Sequence, residues 1–298
     1  MVTVQLLGGM GNQMFQYALG RHLALLNGTE LKLDTSILLN WSPGKHAVNR
    51  GFDLDIFQLE PHFASRKETL AYHADGASVP QKILYRLKKQ FTGDLRTTEP
   101  FFHYHSDILK LKGDIYLAAG TWQSYRYFEE IAGTIKQDFS FKLPLTAHAE
   151  TMHEKIKQRI SVCLNVRRTD YLTVANTAEA MANVPIDYYS RALKAMQEMV
   201  GAFEVFVFSD DMDWCKANFG FIEQPVHFVD HSYADKKFNN YLQLMKACNH
   251  YIIPNSTFAW WAAWLNSRAD KRVIAPLQWF NDPSVNTNDL IPPSWKRL

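Results

Sequence analysis

The sequence predicts an α/β protein with parallel sheets, organised as two domains over residues 1–150 and 151–298. Three observations carry that expectation. Short apolar runs alternate with amphipathic helical segments at both ends of the chain. In the second half, four compact runs rich in β-branched residues follow one another: ISVCLNV, FEVFVF, HYIIP and RVIAP. Between the halves, FKLPLTAH (residues 141–148) interrupts the apolar periodicity at Pro144 and reads as a linker.

Element by element, VTVQLL is a strand that runs into the glycine-rich stretch LLGGMGNQMFQYALG, residues 6–20. A helix over Met14–Asn27 follows, stopped by Gly28, and ELKLD is the next strand. Residues 38–115 are less regular. Within them, FDLDIF places Asp53 and Asp55 on one face if extended. Lone Asp-x-Asp pairs are usually solvated acids, so no metal is expected there, nor at His103 and His105. QKILYRLKKQF, residues 81–91, is a basic amphipathic helix with Ile83, Leu84, Leu87 and Phe91 on one side. Its expected place is against its own domain, the alternative being an anionic membrane surface. A further helix is expected from Ser124, with Phe128, Ile131 and Ile135 on one face.

The composition is that of an ordinary globular chain, 47% hydrophobic and 21% charged, with a formal charge of +2. That balance gives no reason for nucleic acid as a partner, although it suits an anionic substrate. Cys163, Cys215 and Cys248 lack metal spacing and fit a reducing cytoplasm. No leader segment or membrane-spanning run is read, so the expectation is a cytoplasmic protein with at most peripheral contact at the inner face of a membrane.

The glycine-rich turn partly fits a dinucleotide fingerprint. Gly9 and Gly11 supply two small residues, methionine occupies the third position, and Asp34 ends the next strand where a ribose-binding acid would sit. An NAD-dependent oxidoreductase is the alternative this raises. Asn12, Gln13 and Gln16 add polar groups that a pyrophosphate turn does not need.

The second half carries the stronger pattern, because three strands there end in polar groups. LNVRRTD ends in Arg167, Arg168 and Asp170; FVFSDD in Ser209, Asp210 and Asp211; IIPNSTF in Asn255, Ser256 and Thr257 before an aromatic helix. Ligands of open α/β sheets bind outside the carboxyl ends of the strands. Arginine offers a permanently charged fork for phosphate, a helix N-terminus favours anions, and a carboxylate such as Asp210 can accept from the N1–H and amino group of guanine. The combination fits a nucleoside diphosphate. Each piece also has a plain structural account, as a surface pair or a helix cap.

Together, GGMGNQMFQYALG, TWQSYRYF, LNVRRTDY, FSDD and NSTFAWW resemble the bacterial α-1,2-fucosyltransferases of glycosyltransferase family 11. The resemblance implies a GT-B architecture of two facing Rossmann-like domains with a cleft between them. It implies GDP-β-L-fucose as donor, the 2-hydroxyl of a terminal β-galactoside as acceptor, inversion at the anomeric carbon, and no metal or other cofactor. The glycan is expected to be an O-antigen or similar surface polymer, free or lipid-linked. Carried over, Arg167 holds the β-phosphate and Arg168 organises its loop. Ser256, Thr257 and the Phe258 backbone complete a phosphate cradle with Asn255, while Asp210 or Asp211 reads guanine. Gly9, Gly11, Asn12, Gln13 and Asn165 are further donor-binding candidates, with Asn12 reaching across the cleft towards donor or acceptor, and Trp122, Gln123 and Tyr125 are acceptor candidates.

One position departs from the family pattern. Asn165 stands where histidine is usual, two residues before Arg167. Asparagine takes no proton at neutral pH but keeps a structural hydrogen bond. Asp170 is the candidate base, its alternative being a salt bridge that fixes Arg167 or Arg168. A catalytically silent glycan-binding protein, suggested by Asn165 and 8 tryptophans, is the remaining alternative.

Overall fold

The computed structural model describes residues 1–39, 51–70, 72–73, 78–92, 96–118, 120–168, 181–182 and 184–298. The described chain forms two units. The first runs from Met1 to Ser140 and regains Asn286–Leu290; the second runs from Phe141 to Val285 and ends with Ile291–Leu298. The chain thus changes unit at residue 140, within a segment that has no regular structure until Thr146 caps the next helix by accepting from the Ala149 amide.

In the first unit, strand β1 (Val2–Gln5) lies between β2 (Leu31–Asp34) and β3 (Ile115–Leu117), all parallel. Every residue of β1 is buried, as a central parallel strand requires. Helix α1 (Met10–Leu26) returns the chain across this sheet. It begins directly after Gly9, so Gly11 is already helical, and Gly20 presses against Val4 and Leu31 where a Cβ would collide.

Two sequence expectations change here. Leu54–Ile56 is a 3₁₀ turn rather than strand, so Asp53 and Asp55 do not share a strand face. The helix expected from Ser124 is divided into two 3₁₀ turns, Tyr125–Tyr127 and Glu129–Ile131, before α-helix begins at Ala132. Asn286–Leu290 completes the unit. Asp289 accepts from the Ser124 hydroxyl through its carbonyl (3.0 Å), and its carboxylate takes the Tyr104 amide and pairs with Arg126, both at 3.2 Å.

The second unit holds a six-stranded, wholly parallel sheet. Its strands are β4 (Ser161–Val166), β5 (Glu204–Ser209), β6 (Val226–Val229), β7 (His250–Ile252), β8 (Val273–Ala275) and β9 (Lys296–Arg297). Their spatial order is β6-β5-β4-β7-β8-β9, so the sheet is wound outward from its centre in both directions. That is the doubly wound Rossmann order, with its reversal between β4 and β7. Alternate residues of β4 and β5 face opposite layers. Val162, Leu164, Val205 and Val207 join a core with Tyr188, Ala192 and Met196 of the helix over Ile186–Val200. Phe208, by contrast, packs edge-on against Tyr241 of the helix over Asn239–Ala247. Among the described residues, no helix is long and apolar enough to cross a membrane.

Candidate active site

The reversal between β4 and β7 places two sequence motifs side by side. The pairing of Leu164 with Ile252 brings the last residues of both strands to one edge. Arg167 and Arg168 leave that edge from β4. From β7 the chain passes Pro254 and Asn255 to Ser256, the N-cap of a helix over Thr257–Leu265. The Ser256 hydroxyl accepts from the Ala259 amide at 3.5 Å. A guanidinium and the positive end of a helix therefore rise from neighbouring strands, at the crevice where such sheets bind ligands.

Strand β5, on the other side of β4, supplies the counter-charges. Asp210 pairs with Arg167 at 3.1 Å and accepts the Arg168 backbone amide at 2.9 Å. Asp211 approaches the Arg168 guanidinium at 3.4 Å and caps the helix over Met212–Asn218 by accepting from the Trp214 amide at 3.2 Å. The Arg168 guanidinium also lies 3.8 Å over the Trp214 ring. Asp210 or Asp211 is the residue expected to read guanine. Here both carboxylates hold the arginines, because β4 and β5 pair in register up to Val166 and Ser209 and so deliver them together. Trp214 was not anticipated; its signal is its place in the first turn of a helix that Asp211 opens.

Asn165 lies within β4, is 7% exposed, and donates from its side-chain amide to the Phe208 carbonyl at 3.1 Å. It ties β4 to β5 beneath the arginines. Asn255 is likewise buried and donates to the carbonyls of Ala182 and Trp279, both at 2.8 Å, which makes it a brace for the turn before Ser256. Thr257 and Phe258 are half-buried in the first turn of the helix. Phe258 packs edge-on against Phe238, whose left-handed backbone (φ 57°) is unusual for an aromatic residue. Asp170, the candidate base, lies outside the described residues.

The first unit gathers a second group. Gly8 takes φ 75°, and a Cβ there would fall 2.6 Å from the Asn12 side-chain nitrogen, so this turn requires glycine. Gly9 precedes helix α1 and Gly11 and Asn12 lie in its first turn. Gln13 was expected to touch the donor. It is instead wholly buried, donating to the carbonyls of Gly8 and Gly51 and accepting from the Asp53 amide, all at 2.9 Å. Gln16 braces from the other side, between the Leu7 amide and the Gly120 carbonyl. Asn12 accepts from the Gln123 side chain at 3.0 Å, which joins the glycine turn to the TWQSYRYF segment.

Of the acceptor candidates, Tyr125 is half-buried and Gln123 nearly buried. Trp122 is 0% exposed and held by Glu99, which accepts its amide at 2.8 Å; it is core and cannot stack on a sugar. Burial lifts the Glu99 carboxyl above its ordinary value, while bonds from Thr121 and Trp122 oppose that rise.

Asp34 also fails the dinucleotide reading. Its carboxylate is buried, accepts the Tyr116 hydroxyl at 2.5 Å, and lies 2.8 Å from His73. Nothing is left for a ribose. Burial pushes this carboxyl up, but the bonds from His73, Tyr116 and Ser36 outweigh burial and hold it below its ordinary value.

Comparison with known proteins agrees with the motif resemblance. The chain matches Glycosyl transferase family 11 over residues 1–298. It belongs to that family. An α-1,2-colitosyltransferase of Escherichia coli is 28% identical, covering 100% of this chain and 98% of that protein. The O-antigen biosynthesis glycosyltransferase WbnK, also of E. coli, is 29% identical with 98% of each chain covered. Among solved structures, the NodZ α-1,6-fucosyltransferase soaked with GDP-fucose superposes with a TM-score of 0.50 at 14% identity, over 89% of this chain and 91% of that one. The fold is therefore α/β of the GT-B type, and the chain is a family 11 glycosyltransferase.

Proposed function

We propose that this family 11 glycosyltransferase passes L-fucose from GDP-β-L-fucose to the 2-hydroxyl of a terminal β-galactoside, inverting the anomeric carbon, during assembly of a bacterial surface glycan. The carrying observation is that Arg167 and the helix beginning at Thr257 spring from neighbouring strands at the switch point of one sheet. Both provide fixed positive potential. As the bond between the anomeric carbon and the β-phosphate oxygen breaks, negative charge collects on the departing GDP. A guanidinium and a helix N-terminus there stabilise that charge without a metal. The galactose oxygen attacks the opposite face, and its proton passes to a base for which Asp170 is the candidate. Asp210, Asp211 and Trp214 fix the two arginines, so the positive group meets the phosphate without reorganising. Asn12, Gln123 and Tyr125 are the groups of the first unit assigned to the acceptor.

The motif resemblance supports fucose as the sugar, and the names of the two E. coli relatives support α-1,2 transfer into an O-antigen. The colitosyltransferase relative also favours a second sugar, colitose, which we take to be carried on GDP as well. The test is incubation with each donor and a panel of β-galactosides in EDTA, with the product linkage assigned by NMR. GDP-fucose is expected to give an α-1,2-fucosylated product and free GDP. Transfer from GDP-colitose alone would overturn the donor assignment. No product from either, together with no calorimetric binding of GDP, would overturn the reading as a whole.

A further inference from the structure

The basic amphipathic helix read from the sequence, here helix α2 (Val79–Thr92), meets its own unit with the opposite face to the one expected. In a helix that packs on its own core, the apolar stripe faces inward. Here Val79 is 71% exposed, Ile83 53%, Leu84 61% and Leu87 50%. The side that turns inward carries Gln81, Tyr85 and Lys89, which are half-buried, and the Tyr85 hydroxyl donates to the Tyr72 carbonyl at 2.9 Å. At about 100° per residue, positions 79, 83 and 87 form one stripe and positions 81, 85 and 89 form the stripe facing away from it. The structure thus anchors the helix by its polar side and presents a row of large aliphatic side chains to the surroundings.

The charges beside that row select what it meets. The helix carries Lys82, Arg86, Lys88 and Lys89 and no acidic residue. Lys82 and Arg86 are exposed and border the apolar stripe on one side. A moderately long helix with an aliphatic face, basic flanks and low mean hydropathy is the form that lies in the plane of a lipid interface, its apolar face in the acyl boundary and its cations among anionic headgroups. A second copy of the same helix would set these cations against one another, which argues against self-association through this face.

We propose that α2 docks the protein peripherally on an anionic phospholipid bilayer, inserting Ile83, Leu84 and Leu87 and pairing Lys82 and Arg86 with lipid phosphates. On the function proposed above, this would hold the enzyme where a lipid-linked glycan acceptor is presented; the docking itself does not depend on that function. The test is flotation of the full chain with vesicles of phosphatidylcholine alone or mixed with phosphatidylglycerol. Binding is expected on the mixed vesicles, with a loss of at least about tenfold when salt rises to 0.5 M. The I83E/L84E/L87E variant is expected to lose binding by at least about tenfold. The separate K82E/R86E variant is expected to lose it on mixed vesicles in low salt. Circular dichroism melts of both variants verify folding, since the substituted side chains are exposed. The proposal is overturned if the wild-type chain ignores phosphatidylglycerol, or if both folded variants float as it does. It is also overturned if light scattering finds a dimer that I83E/L84E/L87E converts to monomer. Because no step reads turnover, failure here would leave the assignment of the reaction untouched.

Discussion

Replacing Arg167 with alanine tests the site directly. Arg167 follows the last residue of β4, whose neighbour β7 leads to the helix that begins at Thr257, and Asp210 holds its guanidinium at 3.1 Å. On the proposed reaction, its removal takes away one of the fixed positive groups facing the leaving diphosphate. Loss of one such preorganised group costs about 10²–10³ in turnover, or roughly 3–4 kcal/mol of barrier. The effect on folding is much smaller. Arg167 is 29% exposed and Asp210 12%, so the pair is partly screened and its loss is worth about 1 kcal/mol. For a chain of this size, that lowers Tm by roughly 2–4 °C. GDP release is measured at saturating donor and acceptor, beside a thermal melt. The expected result is a folded protein with turnover down at least about a hundredfold. A kcat within about threefold of wild type, for a protein that melts normally, would refute the assignment of Arg167 to the phosphate. Arg168→Ala provides the contrast. Its guanidinium is occupied by Asp211 and the Trp214 face, so loss of packing should accompany a smaller fall in kcat.

Gly8→Ala should destabilise by about 1–2 kcal/mol through its positive φ alone, and its Cβ should push Asn12 from Gln123; urea unfolding and acceptor KM are expected to move together. Ser256→Ala removes the helix cap, and because the cap bond is long at 3.5 Å the cost should lie near about 0.5 kcal/mol, with Ser256→Gly costing less still by urea titration. Asp34 governs an acid transition. Its carboxyl sits below the unfolded value, so the folded state binds fewer protons, and the stabilisation present above about pH 4 is lost as pH falls through the folded value. Asp34→Asn should flatten that acid limb in urea midpoints taken from pH 7 downward, while costing about 1–3 kcal/mol at pH 7 by depriving Tyr116 and His73 of a charged acceptor.

Much of the second unit was legible because its central strands are buried on both faces. Such strands must be continuous apolar runs, and those of β4 and β5 lie within one residue of the observed Ser161–Val166 and Glu204–Ser209. The strands missed in this unit have little side-chain signal. β6 follows Pro225 and carries His227 on a half-buried edge, and β9 is two residues that pair through their backbone. In the first unit, α1 starts four residues earlier than the Met14 expected, because glycine inside a helix resembles a turn in sequence. The polar strand ends were visible, but their partners were not. Nothing in SDD says that both acids face arginines rather than a base, since that follows from strand register. Trp122 misled for a similar reason: an aromatic beside polar residues suits a sugar platform, and only its complete burial, with the indole N–H donated to the Ala118 carbonyl, marks it as core.

The return of Asn286–Leu290 to the first unit has a practical meaning for anyone dividing this protein. A gene truncated after residue 150 would omit Asp289, and the Ser124 hydroxyl, the Tyr104 amide and the Arg126 guanidinium would each lose an acceptor. The halves therefore cannot be subcloned as one continuous piece each without damaging the TWQSYRYF segment. A protease nick between residues 141 and 146 would likewise leave the fragments fastened by this strap, whose neighbours on both sides belong to the other unit. Clipped protein should migrate whole in a native gel and separate only once denatured.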